Sequence, residues 1–262
     1  MILDRFKLTD EVAIVTGASR GIGRGIARGF AEAGAHVVCA ARTPETLEEA
    51  VDEIRSLGRR VLAIPCDVNS SEALEALAAR TLEEFGRIDI VVNNAGGTMP
   101  TPALQLSDRQ FEDAFHFNVT TALRLSVLAI PSMLETGHGS IVNISSGLAH
   151  FVDSAFVAYG TAKAALSHMT RLLACEFAPV VRVNALAVGS IETDALTPFL
   201  ESGDLRQKME ALTPMARLGT TEDIAAAALY LASDAGSWVT GKVFEVDGGT
   251  VDSNWPMKIP GY

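Results

Sequence analysis

Tyr159 and Lys163 stand four residues apart in a run, 155–177, that has the apolar periodicity of a buried helix, and Ser146 precedes the tyrosine by thirteen residues. Residues four apart on a helix lie one turn above each other on one face. Phenol and ammonium are therefore expected to point the same way. A free tyrosine, with a pKa of about 10, is a poor base near neutrality. An ammonium one turn away favours the phenolate and is expected to lower that pKa. A phenol tuned in this way can give a proton to a carbonyl oxygen or take one from an alcohol. The same spacing also occurs on solvated helices, where the ring packs and the lysine snorkels. The pair has to be judged by what surrounds it.

The elements that would position the pair begin with a short β-branched run, 11–16, ending in Gly17-Ala18-Ser19-Arg20-Gly21-Ile22-Gly23, with a helical pattern to Ala33 and Gly34 behind it. Strand, glycine loop and helix together make a phosphate site, because the helix N-terminus offers unpaired N–H groups. Gly17 allows the tight turn, Gly21 lets backbone approach a ligand and Gly23 lets the helix pack closely. Further strands are expected over 36–41, 60–65, 88–92, 140–144, 180–186 and 242–246. Helical patterns fill 45–57, 72–85 and 108–134, the last read as one long helix with Asn118 in its middle. A final helix, 221–231, has Thr221 and Asp223 as candidate caps. The alternation predicts an α/β, three-layer, doubly wound fold with a seven-stranded parallel sheet, and ligands beyond the carboxyl ends of its strands. One domain, 1–262, is expected, with a lid over about 190–218 and a patternless tail from Val251 to Tyr262.

The end of the second strand decides which dinucleotide fits. A carboxylate there would bond the ribose hydroxyls and select NAD. Here the strand ends Ala41-Arg42-Thr43. Arg42, with Arg20 closing from the glycine loop, could clamp a 2′-phosphate through the planar fork of its guanidinium, so NADP(H) is expected over NAD(H). Asp67 and Val68 follow the third strand near an adenine position, and Asn94, Ala95 and Gly96 follow the fourth.

Bulk composition excludes several classes. A formal net charge of -11 argues against nucleic acid and an anionic membrane surface. Three cysteines far apart fit neither a disulfide framework nor a metal knuckle, and no metal is expected. No apolar run is expected to span a membrane, and no secretory leader is read at the N-terminus. A cytoplasmic protein is the expectation.

In order along the chain, Thr16-Gly17-x-x-x-Gly21-x-Gly23, Asn94-Ala95-Gly96, the set Asn118, Ser146, Tyr159 and Lys163, and Asp247-Gly248 resemble the motifs of the short-chain dehydrogenase/reductase family over nearly the whole chain. Within it, the runs VNNAGG, YGTAKAALSHMTR and GSIETDAL look most like bacterial 7α-hydroxysteroid dehydrogenases and actinobacterial reductases. β-Ketoacyl carrier-protein reductases are similar too. The resemblance implies a Rossmann fold and a tetramer built through two long helices and the last strand. It implies Tyr159 as acid and base, and Lys163 tuning it and bonding the nicotinamide ribose. It implies Ser146 bonding the substrate oxygen, Asn118 holding a water beside Lys163, and Ile191 and Thr193 holding the carboxamide. One departure is Val188-Gly189 where the family has Pro-Gly.

Leu148, Phe151 and Phe156, with Ala195, Leu196, Phe199, Leu200, Met209, Leu212 and Met215, suggest an apolar pocket for a bulky carbonyl or alcohol, steroid- or lipid-like. An acyl-carrier thioester ranks second, because only scattered arginines such as Arg206 and Arg217 could serve its phosphates. A dinucleotide-binding sensor without catalysis is the reading of another class.

Overall fold

The computed structural model describes residues 1–194, 196–200 and 204–255, without the side chains of 198 and 199. Ala195, the Phe199 side chain and the tail beyond Trp255 lie outside the described residues. Among the described residues, seven strands form one sheet in the order β3-β2-β1-β4-β5-β6-β7, every pair parallel. They are β1 (Val12–Thr16), β2 (His36–Ala41), β3 (Val61–Pro65), β4 (Ile90–Asn93), β5 (Gly139–Ser146), β6 (Val181–Val188) and β7 (Val243–Val246). Ala13 and Val15 belong to one apolar cluster and Val12 and Ile14 to the other, so β1 is buried on both faces. That is why it reads as a continuous β-branched run rather than an alternating one.

Helices α1 (Gly21–Glu32), α2 (Pro44–Ser56) and, near the chain's end, Thr221–Ala232 cover the first face. The second is covered by α3 (Ser71–Phe85), by α4 (Asp108–Phe115) running on into α5 (Thr121–Thr136), and by α6 (Val157–Phe177). After β6 come the short helices α7 (Thr197–Leu200) and α8 (Leu205–Ala211), so the helix at 221–232 is α9.

Two expectations change. The run 108–134 is not one regular helix: residues His116–Thr120 form a π-helical turn, closed by the Thr121 N–H donating to the His116 carbonyl. Such turns insert one residue and re-aim the side chains on them. The run 108–136 is also long and apolar enough to cross a membrane, contrary to the sequence expectation, but 56% of its most apolar window is buried within this fold. For α9 the cap is Thr220, not Thr221: its hydroxyl accepts from Asp223 N, and Asp223 Oδ2 accepts from Thr220 N at 2.8 Å.

Because β1 neighbours both β2 and β4, the chain leaves β1 in opposite directions and opens a crevice beyond the β1 and β4 carboxyl ends. A small hydrogen-bond cluster fixes that crevice. Thr16 Oγ1 accepts from Asn94 N and Ala95 N, both at 3.0 Å, and donates to Val92 O. Asn94 Nδ2 donates to Thr16 O at 2.8 Å. Deeper in the sheet, Asn93 Nδ2 donates to Asn143 Oδ1 at 2.8 Å, and Asn143 Nδ2 to Thr170 Oγ1 at 2.9 Å, tying β4 and β5 to α6. Thr16→Val keeps the shape but removes the acceptor for Ala95 N. It is expected to cost about 1–3 kcal/mol in denaturant unfolding, together with weaker dinucleotide binding by titration.

Candidate active site

The glycine loop after β1 bends as its residue types require. Gly17 and Gly21 have φ of +64° and +54°, and a Cβ on Gly23 would lie 2.3 Å from the Gly17 carbonyl oxygen. Across the crevice, Gly96 leaves room for two neighbours: a Cβ there would lie 2.7 Å from Asn118 Oδ1 and 3.0 Å from Lys163 Nζ.

Lys163 is 4% exposed, and its Nζ donates to the Ile144 carbonyl at 2.8 Å. Burial pushes its ammonium down to about 8. Its Nζ lies 5.6 Å from the centroid of the Tyr159 ring. Here the expectation is corrected. The phenol is raised above its ordinary value by burial, and the interaction that pulls it back is a hydrogen bond with Ser146, not the lysine. Ser146 Oγ also accepts from Leu148 N at 3.2 Å.

Asn118 sits on the π-helical turn, 2% exposed. Its Oδ1 accepts from Gly97 N at 2.8 Å, and its Nδ2 donates to Ala114 O at 2.8 Å and Gly97 O at 3.1 Å. The side chain therefore clamps the loop after β4, a contact the sequence did not announce.

Two cavities meet at these residues. A cleft of about 550 Å³ runs over the glycine loop to the ends of β4 and β5. Of the expected cofactor residues, Gly17, Ser19, Arg20, Gly21, Ile22, Arg42, Val68, Asn94, Ala95, Gly96 and Thr193 line it, with Ser146, Tyr159 and Lys163. Arg20 and Arg42 are both exposed in it. Gly23 stands behind the loop. Asp67 is not on the cleft wall: its Oδ1 accepts from Asn69 N at 3.0 Å and from Asn69 Nδ2, a turn role. Ile191 is not on it either and lines the second cavity instead.

That second cavity, about 360 Å³, has Leu148, Phe151, Phe156 and Leu196 on its wall, and it shares Ser146 and Tyr159 with the cleft. Leu200 and Met209 are buried with Leu205 and Leu218 in a small core of their own, so they pack the 190–218 segment rather than the cavity. Leu212 and Met215 are 55% and 63% exposed. The sequence reading missed the wall formed by Thr250, Asp252, Ser253, Asn254 and Trp255. Its one signal was a tryptophan in a tail without regular pattern. Val188 pairs with Val246, and a Cβ on Gly189 would lie 2.6 Å from Asp247 Cα, so this turn is held tightly without the family's proline.

A sequence profile described as enoyl-(acyl carrier protein) reductase matches residues 17–251. An uncharacterized oxidoreductase of Mycobacterium tuberculosis is 51% identical over 261 residues, covering 99% of each chain. The 7α-hydroxysteroid dehydrogenase of Escherichia coli is 41% identical over 249 residues, covering 95% of this chain and 97% of the relative. A solved 7α-hydroxysteroid dehydrogenase, complexed with NADH and 7-oxo glycochenodeoxycholic acid, superposes with a TM-score of 0.91 at 41% identity, covering 95% of this chain and 97% of that one. A short-chain type dehydrogenase/reductase from Mycobacterium marinum gives 0.90 at 35% identity, covering 96% and 99%. The chain belongs to the short-chain dehydrogenase/reductase family. It is an oxidoreductase that uses a nicotinamide dinucleotide and interconverts alcohols and carbonyls, as the fold and the family together show.

Because the fold holds Lys163 near 8, against an ordinary 10.5, the folded chain gives up this proton before the unfolded chain does. Between those values unfolding takes up a proton, so stability rises with pH as the burial cost of the charge is relieved. Burial raises the Cys39 and Cys66 thiols to about 12 and about 11, which lowers stability as pH climbs above about 9, so the lysine is read as a difference: from pH 8 to 10.5 the denaturant midpoint of wild type should rise relative to that of Lys163→Met.

Proposed function

We propose that this protein is an NADP(H)-dependent oxidoreductase interconverting a secondary alcohol and a ketone on a bulky, apolar, steroid- or lipid-like substrate. The observation that carries the reading is the sharing of Ser146 and Tyr159 between the cleft and the apolar cavity. Ile22, Val188, Gly189 and Thr193 line both as well, so a group in one meets a group in the other beside the serine and the tyrosine. The dinucleotide supplies or accepts the hydride. Tyr159 gives its proton to the carbonyl oxygen in reduction and takes it back in oxidation. Its raised pKa keeps the phenol protonated, which suits the donor role. Ser146 donates a hydrogen bond to the same oxygen as negative charge develops on it. Lys163 holds the ribose and supplies positive charge beside the phenol. Asn118 keeps Gly96 and Gly97 in place beside that ammonium.

Preference for NADP(H) rests on Arg20 and Arg42, exposed together on the cleft wall, and on the absence of a carboxylate at the end of β2. The profile's description favours an acyl-thioester substrate as a second reading. Against it, Arg206 is bonded to Glu192 and Arg217 to Asp223 at 2.6 Å, which leaves neither guanidinium free for a carrier's phosphate. The reading includes one cytoplasmic domain, 1–262, with the lid over 190–218.

Following NADPH and NADH absorbance against a panel of ketones tests this directly. Wild type should favour NADPH in kcat/KM, Arg42→Glu should reverse the ratio, and Tyr159→Phe should remove most turnover while NADPH still binds. A clear NADH preference in wild type, or full activity in Tyr159→Phe, overturns the corresponding assignment.

The family's tetramer is proposed as well. On the outer faces of α5 and α6, Leu123, Val127, Leu134 and Leu172 are exposed, and Trp238 stands 99% exposed just before the edge strand β7. Apolar side chains in such rows are suited to burial between subunits. Sedimentation should give about four times the 27.7 kDa chain mass, and a stable monomer would refute it.

A further inference from the structure

The apolar cavity is closed on one side by the irregular segment 250–255 rather than by a helix or strand. Asn254 fixes that wall through its side chain, which is 8% exposed and bonded at both ends. Its Oδ1 accepts from Ser190 Oγ at 2.6 Å, and its Nδ2 donates to Thr213 Oγ1 at 3.0 Å. Thr213 is itself buried and donates its own proton to the Met209 carbonyl at 2.8 Å. Its oxygen can then only accept from Asn254, which settles which way round the amide stands. A carboxylate here would face Thr213 with an acceptor, and an alkyl group would leave both partners unbonded.

The partners come from separate parts of the chain. Ser190 follows Gly189, which lines both the dinucleotide cleft and the cavity. Thr213 stands just after α8, behind the cavity wall, with its methyl group on the turn after β7: a Cβ on Gly248 would lie 2.7 Å from Thr213 Cγ2. Met209 is fully buried in the small core with Leu200, Leu205 and Leu218, and Leu196 and Trp255 pack against that core. Those last two also line the cavity. The string of bonds from Ser190 through Asn254 and Thr213 to Met209 therefore runs from the cofactor side to the core that backs two apolar side chains of the cavity.

We propose that Asn254 is a positioning residue for the substrate. Through Thr213 it holds Leu196 and Trp255 where they meet the apolar body of a bulky ketone or alcohol, and so it sets the preference for a bulky over a small carbonyl compound. It acts through its neighbours rather than on the reacting atoms, so it weighs on KM and not on the hydride step. This rests on the bulky-substrate reading above and deepens it.

The test turns on Thr213. Thr213→Val keeps the methyl group and the shape but can bond neither Asn254 nor Met209, whereas Thr213→Ser keeps the hydroxyl and loses the methyl group. Both are compared with wild type in NADPH-dependent reduction of a ketosteroid and of cyclohexanone. Loss of one or two buried hydrogen bonds should raise KM for the ketosteroid about tenfold in Thr213→Val, with kcat retained. Cyclohexanone, too small to reach across the cavity, should show no such rise, and Thr213→Ser should behave as wild type on both. Asn254→Asp, which turns an acceptor toward Thr213 Oγ1, should match Thr213→Val on the ketosteroid. An unchanged ketosteroid KM in Thr213→Val, a Thr213→Ser as impaired as Thr213→Val, or an equal loss on both ketones overturns the assignment and leaves the oxidoreductase reading standing. Wild type that favours cyclohexanone over the ketosteroid in kcat/KM, or reduces neither, overturns the bulky-substrate reading and the assignment with it.

Discussion

A buried ammonium is the constraint around which this site is arranged. Lys163 lies between the end of β5 and the first turns of α6, and a charge so enclosed requires fixed acceptors. The Ile144 carbonyl is one, reached because β5 ends there and α6 packs across it. The helix itself is held to the strand by Ser145 Oγ, which donates to the Lys163 carbonyl at 3.1 Å and is paired with Ser167. Gly96 then has to be a glycine, and Asn118 has to clamp the loop that carries it, or the space beside the ammonium would be filled. Strand end, helix, loop and π-helical turn are thus four answers to one demand.

Sheet order explains why that demand is met beside two cavities. Parallel strands place every βα loop at one edge. The reversal at β1 opens the dinucleotide cleft between the loops after β1 and β4, while β5 and β6 end one and two strands further along, beside the apolar cavity. Ser146 closes β5, and Tyr159 is reached from α6 directly after it, so both stand at the boundary. The Thr16–Asn94 cluster ties together the ends of the two strands that flank the cleft. The chain of Asn93, Asn143 and Thr170 does for the interior what apolar packing alone would leave loosely registered.

Much of this was legible in residue order. Fully buried strands announce themselves as runs such as AIVT and HVVCAA, and the glycine loop, the Asn94 motif and the Tyr159/Lys163 pair fell where strand ends placed them. What was not legible has physical causes. A π-helical turn leaves the apolar pattern nearly unbroken, because one extra residue shifts the periodicity by less than the width of the apolar stripe, so 108–134 reads as one helix. Thr220 and Thr221 are both capping types, and only backbone geometry chooses Thr220. Asp67 has a residue type suited to either a ligand or a turn, and its Oδ1 makes the turn. The segment 250–255 carries no periodicity at all. It joins the cavity wall through side-chain bonds to Asp153, Ser190 and Thr213, all distant in the chain.

The pKa directions bear on how the pair works. Sequence logic treats the lysine as an activator of the tyrosine, which assumes that the charge is intact and the surroundings unchanged. Burial acts on both groups at once, and toward neutrality in each: it raises the phenol and lowers the ammonium. A desolvated tyrosine and a desolvated lysine left to themselves thus drift toward a neutral pair, and the Ser146 hydroxyl alone offsets only part of that drift. Reversing it requires new hydrogen-bond donors for the phenol and new negative charge near the lysine. A dinucleotide held at the glycine loop would supply both, through its ribose hydroxyls and its pyrophosphate. The protein supplies an enclosed acid and an enclosed cation, and a bound cofactor would add its own charges and hydroxyls to the field around them.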